Sequence, residues 1–242
     1  MRHHIILITL LAFLLGATIW VTSLGKVGIY TTFSYGDVFY SAWDHFKMVF
    51  IAVVIASAIG VPLGVLVTRP GLEKLALPVI GGASVGQSIP SLAVIAIMAP
   101  MLGFGLQSAI IALVIYGILP IVRNAYASIK AIDPAIIEAA RGMGLTRMQI
   151  ARKIELPLAR PVIMAGIRIS AVITVGTAEL AVLVGGTGLG KITLTGVFAR
   201  EALIILQGAA PTAAMAIILG FLLERVEKRM TPRGLEIEAE TV

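Results

Sequence analysis

The chain alternates long apolar runs with short polar segments. Six runs hold about twenty or more residues each, the length that a helix needs to cross the hydrocarbon core of a bilayer. They are Ile5–Leu24, Phe46–Val67, Leu75–Leu102, Leu106–Ile129, Pro161–Val184 and Ala202–Leu223. This pattern predicts an all-α, polytopic membrane protein with about six transmembrane helices.

The first and third runs are open to more than one interpretation. The first follows Met1-Arg2-His3-His4 as in a signal peptide, but its length and the lack of an Ala-x-Ala site favour a retained helix over residues 1–24. The third is interrupted at Gly81-Gly82 and again between Gly86 and Ser91. It predicts either one broken helix or a short helix followed by a span.

Polar stretches divide the chain into three parts. Residues 1–45 combine the first helix with an external loop whose aromatic residues suit a membrane interface. Those aromatic residues are Tyr30, Phe33, Tyr35, Tyr40 and Trp43. Residues 46–223 form the membrane core, and residues 224–242 are a charged cytoplasmic tail for which we expect a frayed end.

One polar insert, residues 133–157, interrupts the apolar core. Asp133-Pro134 is a helix start, because Asp is a good N-cap and Pro suits the first helical position. The helix should stop near Gly142 or Gly144, since Gly readily adopts the left-handed conformation that ends helices.

A second short helix should follow in the same insert. Thr146 is its expected N-cap, and Pro157 is expected to end it. The insert therefore predicts two short helices joined at glycine, exposed in a loop.

The composition agrees with a membrane protein. Of the 242 residues, 58% are hydrophobic and 13% are charged, whereas a soluble domain carries roughly a quarter charged residues. The net charge of +6 would also suit nucleic acid, but basic loops beside apolar spans are the expected membrane pattern, so we expect no nucleic-acid partner. The chain has no cysteine, and His3, His4 and His45 lack the spacing of metal ligands.

The basic residues predict the orientation. With the N-terminus inside and six alternating spans, all but four of the 19 Lys and Arg residues fall on the cytoplasmic side or on the span ends next to it. The four on the outer side are Lys26, Lys47, Lys191 and Arg200. This asymmetry obeys the positive-inside rule and places both termini and the polar insert in the cytoplasm.

The polar insert resembles the permease signature of bacterial ABC importers. That signature reads Glu-Ala-Ala, three residues, Gly, nine residues, Ile, one residue and Leu-Pro, and the chain matches it without a gap. The matching residues are Glu138, Ala139, Ala140, Gly144, Ile154, Leu156 and Pro157. The resemblance implies a type I importer permease fold, with these residues coupling the chain to a cleft on an ATP-binding subunit. The plainer alternative is an ordinary basic loop.

Further blocks are similar to the osmoprotectant branch of these permeases. Gly86–Ser91, Gly117–Pro120, the polar insert and Gly185–Gly190 occur in that order. The resemblance implies uptake of glycine betaine, choline, carnitine or a related quaternary ammonium solute. The glycine-rich block also occurs in methionine and amino-acid permeases, so an importer of those solutes is the nearest alternative.

The resemblance also implies an assembly in the bacterial plasma (inner) membrane. It would contain two permease chains, identical or paralogous, two ATP-binding subunits and an external solute-binding protein. ATP and magnesium would bind to the partner subunits, so this chain is expected to hold no cofactor and to be a transport subunit rather than an enzyme.

The segment from Gly185 to Lys191 fits the phosphate-binding pattern Gly-x-x-x-x-Gly-Lys. The next residue is Ile192 rather than the Ser or Thr that binds magnesium, and no strand pattern precedes the segment. The predicted topology also places it outside the cell. We therefore expect no nucleotide site here.

Polar groups within spans are candidates for the translocation path, because they are costly there. Gln87 and Ser88 lie beside Pro90, which lacks a backbone donor and favours local unwinding. Gln87 either lines the path or forms a hydrogen bond with a neighbouring helix.

Glu179 is the only acid well inside a predicted span. It either attracts a cationic solute, pairs with a residue on another span in a structural role, or is a carboxylate at the outer mouth. Arg168 is about 16 Å away along a helix, which is too far for direct pairing with Glu179.

Two other classes stay open. An ion-driven secondary transporter or channel would use Glu179 as a proton or sodium site, but it would leave the insert without a role. A membrane-embedded enzyme would need a nucleophile–base pair, and the predicted spans hold no histidine and no second acid near Glu179.

Aromatic residues make up only 6% of the chain, too few for a high-affinity quaternary ammonium cage, so selectivity is expected to reside in the external binding protein.

Overall fold

The computed structural model describes residues 2–26 and 33–230, without the side chains of residues 2–6, 25–26 and 83–87. Tyr30 and residues 231–242 of the tail lie outside the described residues. Within those ranges all regular structure is helical, which confirms the all-α prediction. The α-helices are α1 (Arg2–Lys26), α2 (Tyr35–Leu66), α3 (Ala76–Ser88), α4 (Ser91–Leu102), α5 (Leu106–Lys130), α6 (Pro134–Gly142), α7 (Arg147–Ile150), α8 (Leu156–Ala178), α9 (Gly190–Ala199) and α10 (Ala202–Met230).

Three shorter helical segments connect these helices. A 3₁₀ turn over Glu73–Leu75 precedes α3, a π-helical segment over Ala151–Glu155 joins α7 to α8, and a 3₁₀ segment over Glu179–Val184 follows α8. The last two make Arg147–Val184 one nearly continuous helical rod of 38 residues.

Five helical segments in the described ranges are long and apolar enough to cross a membrane. They are Leu7–Leu24, Tyr35–Leu66, Leu106–Lys130, Arg147–Val184 and Ala202–Met230. The third predicted run is instead split into α3 and α4, of 13 and 12 residues. A helix of that length is about 20 Å long, which is less than the roughly 30 Å hydrocarbon core, so the broken-helix alternative is the one found.

The segment before the second predicted span differs from its prediction. Residues 35–45 were expected in an external loop, but they form the first turns of α2. The Ser34 hydroxyl accepts from the Asp37 N–H at 3.2 Å, and the Asp37 carboxylate accepts from the Ser34 N–H at 3.0 Å. This reciprocal pair is a capping box, so α2 begins about ten residues earlier than the apolar run.

The start of the tail also differs from its prediction. Residues 224–230 are not frayed, because α10 continues to Met230. Two ion pairs hold this end: Lys228 with Glu224 at 2.6 Å and Arg168 of α8 with Glu227 at 3.1 Å.

The chain divides into two compact units, and α2, α5, α8 and α10 contribute residues to both. The first unit contains Met1–Ile55, Ile89–Gly117 and Ala171–Gly220. Its main core is made of small and branched apolar side chains from α2, α4, α5, α8 and the 3₁₀ segment after α8. The largest are Met48, Ile95, Leu113 and Val175. A second cluster packs Leu189 and Ile192 of the α9 region against Val38 and Ile204.

The second unit contains Ala56–Ser88, Ile118–Ser170 and Phe221–Val242. Its core is Ala125, Ile129, Ala159 and Ile163, from α5 and α8. Gly64 of α2 lies against α5 so closely that a Cβ there would be 2.6 Å from the Val122 carbonyl oxygen. Such small-residue contacts let membrane helices pack tightly where no hydrophobic effect drives them together.

Candidate coupling loop and buried polar groups

The first helix of the polar insert, α6, begins as its sequence predicts. The Asp133 carboxylate accepts a hydrogen bond from the Ala135 N–H at 2.8 Å, and Pro134 occupies the first helical position. The cap satisfies one of the N–H groups that a helix start leaves unpaired.

The same helix ends in a Schellman motif. The N–H of Gly144 donates to the Arg141 carbonyl at 2.9 Å, and the N–H of Leu145 donates to the Ala140 carbonyl at 3.2 Å. Gly144 has φ 78°, the left-handed conformation that this motif requires. The prediction of a glycine joint with positive φ is confirmed at Gly144.

The second helix of the insert starts as predicted but continues past its predicted end. Thr146 and Gln149 form a capping box, in which the Gln149 side-chain oxygen accepts from the Thr146 N–H at 2.8 Å. The helix then passes through the π segment Ala151–Glu155 into α8, so the expectation that Pro157 ends it was wrong. Pro157 directly follows the π segment, so its missing N–H falls where the hydrogen bonding changes from π to α.

The signature residues divide into an exposed set and a packed set. Glu138 and Ala139 are exposed on α6, whereas Ala140 is fully buried beneath them. Ile154, Leu156 and Pro157 are half-buried in the continuous helix rather than presented on a loop. Leu156 packs against the core of the second unit.

The two short helices of the insert and the turn between them also carry exposed, large apolar side chains. Ile136 is 43% exposed, Met143 73% and Met148 62%. Exposed apolar residues next to charged ones are typical of a surface that another protein covers.

An ion pair with a distant residue anchors the π segment. Arg69, in the turn after α2, pairs with Glu155 at 2.5 Å, and both side chains are largely buried. Glu155 is the variable position inside the Ile-x-Leu-Pro part of the signature, and nothing in the sequence pattern pointed to its partner.

The break between α3 and α4 lies at the predicted place. α3 ends at Ser88, and Pro90 precedes α4 with extended backbone, φ −55° and ψ 130°. Ser88 and Pro90 are exposed, and the side chain of Gln87 lies outside the described residues. Local unwinding beside Pro90 is therefore present.

Glu179 makes a side-chain contact with another helix within the first unit. One of its carboxylate oxygens accepts a hydrogen bond from the Thr212 hydroxyl of α10. Its other oxygen is buried and has no hydrogen-bond partner among the described residues. Arg168 does not pair with it, as expected, since Arg168 pairs with Glu227.

His45 is fully buried beside this carboxylate. Its Nε2 donates to the Val175 carbonyl at 3.0 Å, and Glu179 lies near enough for an electrostatic interaction with the ring. Nδ1 has no hydrogen-bond partner in the part of the chain that the structure describes. Because the Ser34 cap starts α2 before the apolar run, His45 lies in the same helix as the second span, one position before that run begins at Phe46.

The glycine-rich segment from Gly185 to Lys191 does not have the surroundings of a phosphate-binding loop. The 3₁₀ segment Glu179–Val184 precedes it instead of a strand. Gly188 has φ 120°, and a Cβ on it would lie 2.9 Å from the His45 Cβ. Close packing on α2 thus accounts for glycine at this position.

A comparison with protein families assigns the chain. Residues 60–233 match the model of the binding-protein-dependent transport system inner membrane component family. The chain belongs to this family. The permease is therefore a multi-pass integral membrane protein and a transport subunit rather than an enzyme, and it works with ATP-binding and substrate-binding partners.

Two curated relatives cover most of the permease. It is 39% identical over 201 residues to the choline transport system permease protein of Bacillus subtilis (strain 168). It is 41% identical over 201 residues to the glycine betaine/carnitine/choline transport system permease protein of the same organism. Each alignment covers 83% of this chain and 92% of the relative.

The fold also matches solved importers. A structure of the inward-facing MetNI methionine ABC transporter superposes with a TM-score of 0.73 at 28% identity, covering 82% of the permease and 98% of that chain. This match confirms the type I importer permease fold.

Proposed function

We propose that the permease forms the membrane path of an ATP-driven importer for osmoprotectants with a quaternary ammonium group, such as glycine betaine, choline or carnitine. The observation that carries this proposal is 39–41% identity, over 83% of the chain, to two permeases whose names state these solutes. The gapless signature from Glu138 to Pro157 supports the ABC importer mechanism.

A methionine or amino-acid importer is the second candidate. The solved methionine transporter has the same fold and aligns over 82% of the permease. Its identity of 28% is lower than that of the osmoprotectant relatives, which is why we rank it second.

The exposed part of the signature is our candidate for contact with the ATP-binding subunit. Glu138 offers a charge on α6, and Met143 and Met148 offer flexible apolar side chains that fit a partner's cleft. The packed part, from Ile154 to Pro157, would carry movement of that contact into α8, because the two share one continuous helix.

The assembly follows from this role. Two ATP-binding subunits would bind ATP and magnesium, and a second permease chain, identical or paralogous, would complete the path. An external solute-binding protein would deliver the solute. The complex would lie in the bacterial inner membrane with both permease termini in the cytoplasm, in agreement with the distribution of Lys and Arg.

Four residues are our candidates for the translocation path: Gln87, Ser88, Pro90 and Glu179. The break between α3 and α4 supports the first three, because non-helical backbone at membrane depth is tolerated where it lines a cavity or is covered by protein. The buried carboxylate oxygen without a hydrogen bond supports Glu179.

Uptake by the complete transporter tests this function. The permease, its ATP-binding subunit and its binding protein are reconstituted in vesicles, and uptake of radiolabelled glycine betaine, choline, carnitine and methionine is compared. We expect ATP-dependent uptake of at least one quaternary ammonium solute and none of methionine. Uptake of methionine alone would replace the first proposal by the second.

A further inference from the structure

A cavity of about 420 Å³ lies in the first unit, between the first turns of α2 and the glycine-rich segment before α9. Its charged and aromatic lining comes from Phe33, Asp37, Tyr40, Asp44 and Lys191. The volume is within the usual range of small-ligand pockets, roughly 300–1,000 Å³.

The spacing along α2 directs three of these side chains to one place. Asp37, Tyr40 and Asp44 are separated by three and four positions, so they follow one another on a single face of the helix. Lys191, at the start of α9, and Thr187 of the preceding loop also line the cavity.

The charged residues lie where water can reach them. α2 has 32 residues, or about 48 Å at 1.5 Å per residue, whereas the hydrocarbon core is about 30 Å thick. The apolar run starts at Phe46, so the turns that carry Asp37 and Asp44 extend beyond it. In the proposed orientation this end of α2 and Lys191 are on the outer side.

This lining fits a quaternary ammonium group better than a metal ion. Two carboxylates and the rings of Phe33 and Tyr40 attract an organic cation. The lining itself has a net charge of −1, from Asp37, Asp44 and Lys191, and Lys47, which does not line the cavity, pairs with Asp44 from the side. No group of three or more His, Cys, Asp or Glu side chains that would hold a metal ion occurs among residues 2–26 and 33–230.

We propose that this cavity is a low-affinity receiving site for the quaternary ammonium solute on the outer side of the permease. Asp44 and Tyr40 contact the ammonium group, and Lys191 binds the carboxylate of zwitterionic solutes such as glycine betaine and carnitine. The inference rests on the proposed function, because it assigns a site to the same class of solute. Low affinity agrees with two rings, one half-buried and one exposed, rather than a closed aromatic cage.

The hydrogen bonds and ion pairs of the lining residues decide which of them can be replaced without disturbing the fold. Asp37 caps α2 through Ser34, so its replacement would disturb the helix start. Asp44 forms an exposed ion pair with Lys47, one turn further along α2, at 2.8 Å, an interaction that contributes little to stability. Asp44→Asn therefore removes the charge from the cavity, and Lys47→Gln is its matched control, because it removes the same ion pair without changing the cavity lining.

Uptake by the complete transporter gives the first measurement. We expect Asp44→Asn and Tyr40→Leu to lower uptake of choline and glycine betaine about three- to tenfold at low solute concentration, a loss typical of one charged or aromatic contact. Lys191→Gln should lower uptake of glycine betaine by a similar factor and leave choline, which has no carboxylate, within twofold of wild type. Lys47→Gln should not lower uptake of either solute, because it frees the Asp44 carboxylate and leaves the cavity lining unchanged.

Comparing choline and glycine betaine uptake in Lys191→Gln distinguishes a solute site from a docking surface for the binding protein. Equal losses for choline and glycine betaine in Lys191→Gln would mean that this surface contacts the binding protein, and the receiving site would be rejected. Unchanged uptake in Asp44→Asn would reject it as well.

Direct binding separates failure of the site from failure of the proposed function. Saturation-transfer NMR on the N-methyl protons of choline is measured with the permease–ATPase complex in nanodiscs, without binding protein. If Asp44→Asn abolishes the saturation-transfer signal and Lys47→Gln preserves it, the result supports the site. This holds even if the wild-type transporter takes up a different solute. A signal that persists in Asp44→Asn, or none in wild type, overturns the site and leaves the uptake result to decide the function.

Discussion

The side-chain amide of Gln207 pairs with both backbone polar groups of Phe33. The Gln207 Oε1 accepts from the Phe33 N–H at 3.0 Å, and Nε2 donates to the Phe33 carbonyl at 2.7 Å. Nε2 also donates to the Thr22 hydroxyl at 2.8 Å, and Gln207 itself is fully buried. One side chain of α10 thus holds α1 and the segment that precedes α2, including a wall of the outer cavity.

Gln207→Leu should destabilise the permease by about 1–3 kcal/mol, because it leaves the Phe33 N–H and carbonyl without partners. Thermal unfolding in detergent measures this. The control is Thr22→Val, which removes one of the three Gln207 bonds and the bond from the Thr22 hydroxyl to the Thr18 carbonyl but keeps both bonds to Phe33, so it should cost about 1 kcal/mol. If Gln207→Leu unfolds at the wild-type temperature, the pairing does not contribute to stability.

Gly144→Val should impair coupling to the ATP-binding subunit and leave membrane insertion intact. A side chain with a Cβ at positive φ costs roughly 1–2 kcal/mol, and the strain would disrupt the Schellman motif that sets the direction of the chain between α6 and α7. A Cβ on Gly144 would meet no atom within 4 Å, so the expected cost comes from the backbone conformation.

The measurement for Gly144→Val is co-purification of the ATP-binding subunit together with solute-stimulated ATP hydrolysis in vesicles. Gly142→Ala is a close control, because Gly142 is helical, has no positive φ and also has open space around its Cβ position. Normal docking and hydrolysis in Gly144→Val would show that the motif is not needed for coupling.

Glu179→Gln should lower choline uptake about tenfold, equivalent to roughly 1.4 kcal/mol, and lower glycine betaine uptake less. The reason is that glutamine keeps an oxygen to accept the Thr212 hydrogen bond but loses the charge that attracts a cation. Uptake of both solutes is compared with expression and thermal stability.

Thr212→Val separates the two roles of Glu179, since it removes the hydrogen bond and keeps the carboxylate. Equal loss of both solutes in Glu179→Gln, with the lowered stability that Thr212→Val also shows, would assign Glu179 a structural role.

The Arg69–Glu155 pair should contribute a coupling energy of about 1–2 kcal/mol to stability, because breaking a largely buried pair leaves one charge poorly solvated. A double-mutant cycle of Arg69→Gln and Glu155→Gln, followed by thermal unfolding, measures it. The exposed pair of Lys130 with Glu73, at 3.6 Å, is the control and should show coupling near zero. Equal coupling in the two cycles would contradict the effect of burial.

Thiols introduced at Arg141 and at Arg200 should react with a labelling reagent from opposite sides of the membrane. The chain has no cysteine, so single variants Arg141→Cys and Arg200→Cys carry one thiol each, at exposed positions. A membrane-impermeant maleimide should label Arg200→Cys in intact spheroplasts and Arg141→Cys only after permeabilisation. The reverse pattern would invert the proposed topology.

Local features were predictable from the sequence because their partners lie within a few positions. The Asp133 cap, the Gly144 turn and the Thr146 cap each join residues two to five positions apart, so residue type and spacing were enough. The apolar runs likewise predicted five of the spans, since burial in lipid depends on composition and length. The coupling role of the signature and the path role of Glu179 stay predictions.

Packing between distant segments decided what the sequence left open. The helix continues through Pro157 by way of the π segment, which Arg69 contacts from a distant part of the chain, and the residue types around Pro157 did not predict this. Glu179 meets Thr212 across 33 positions, His45 meets Val175 across 130, and Gln207 meets Phe33 across 174. A buried polar group must find a hydrogen-bond partner, but which distant residue supplies it depends on how the helices pack, and only the tertiary structure contains that information.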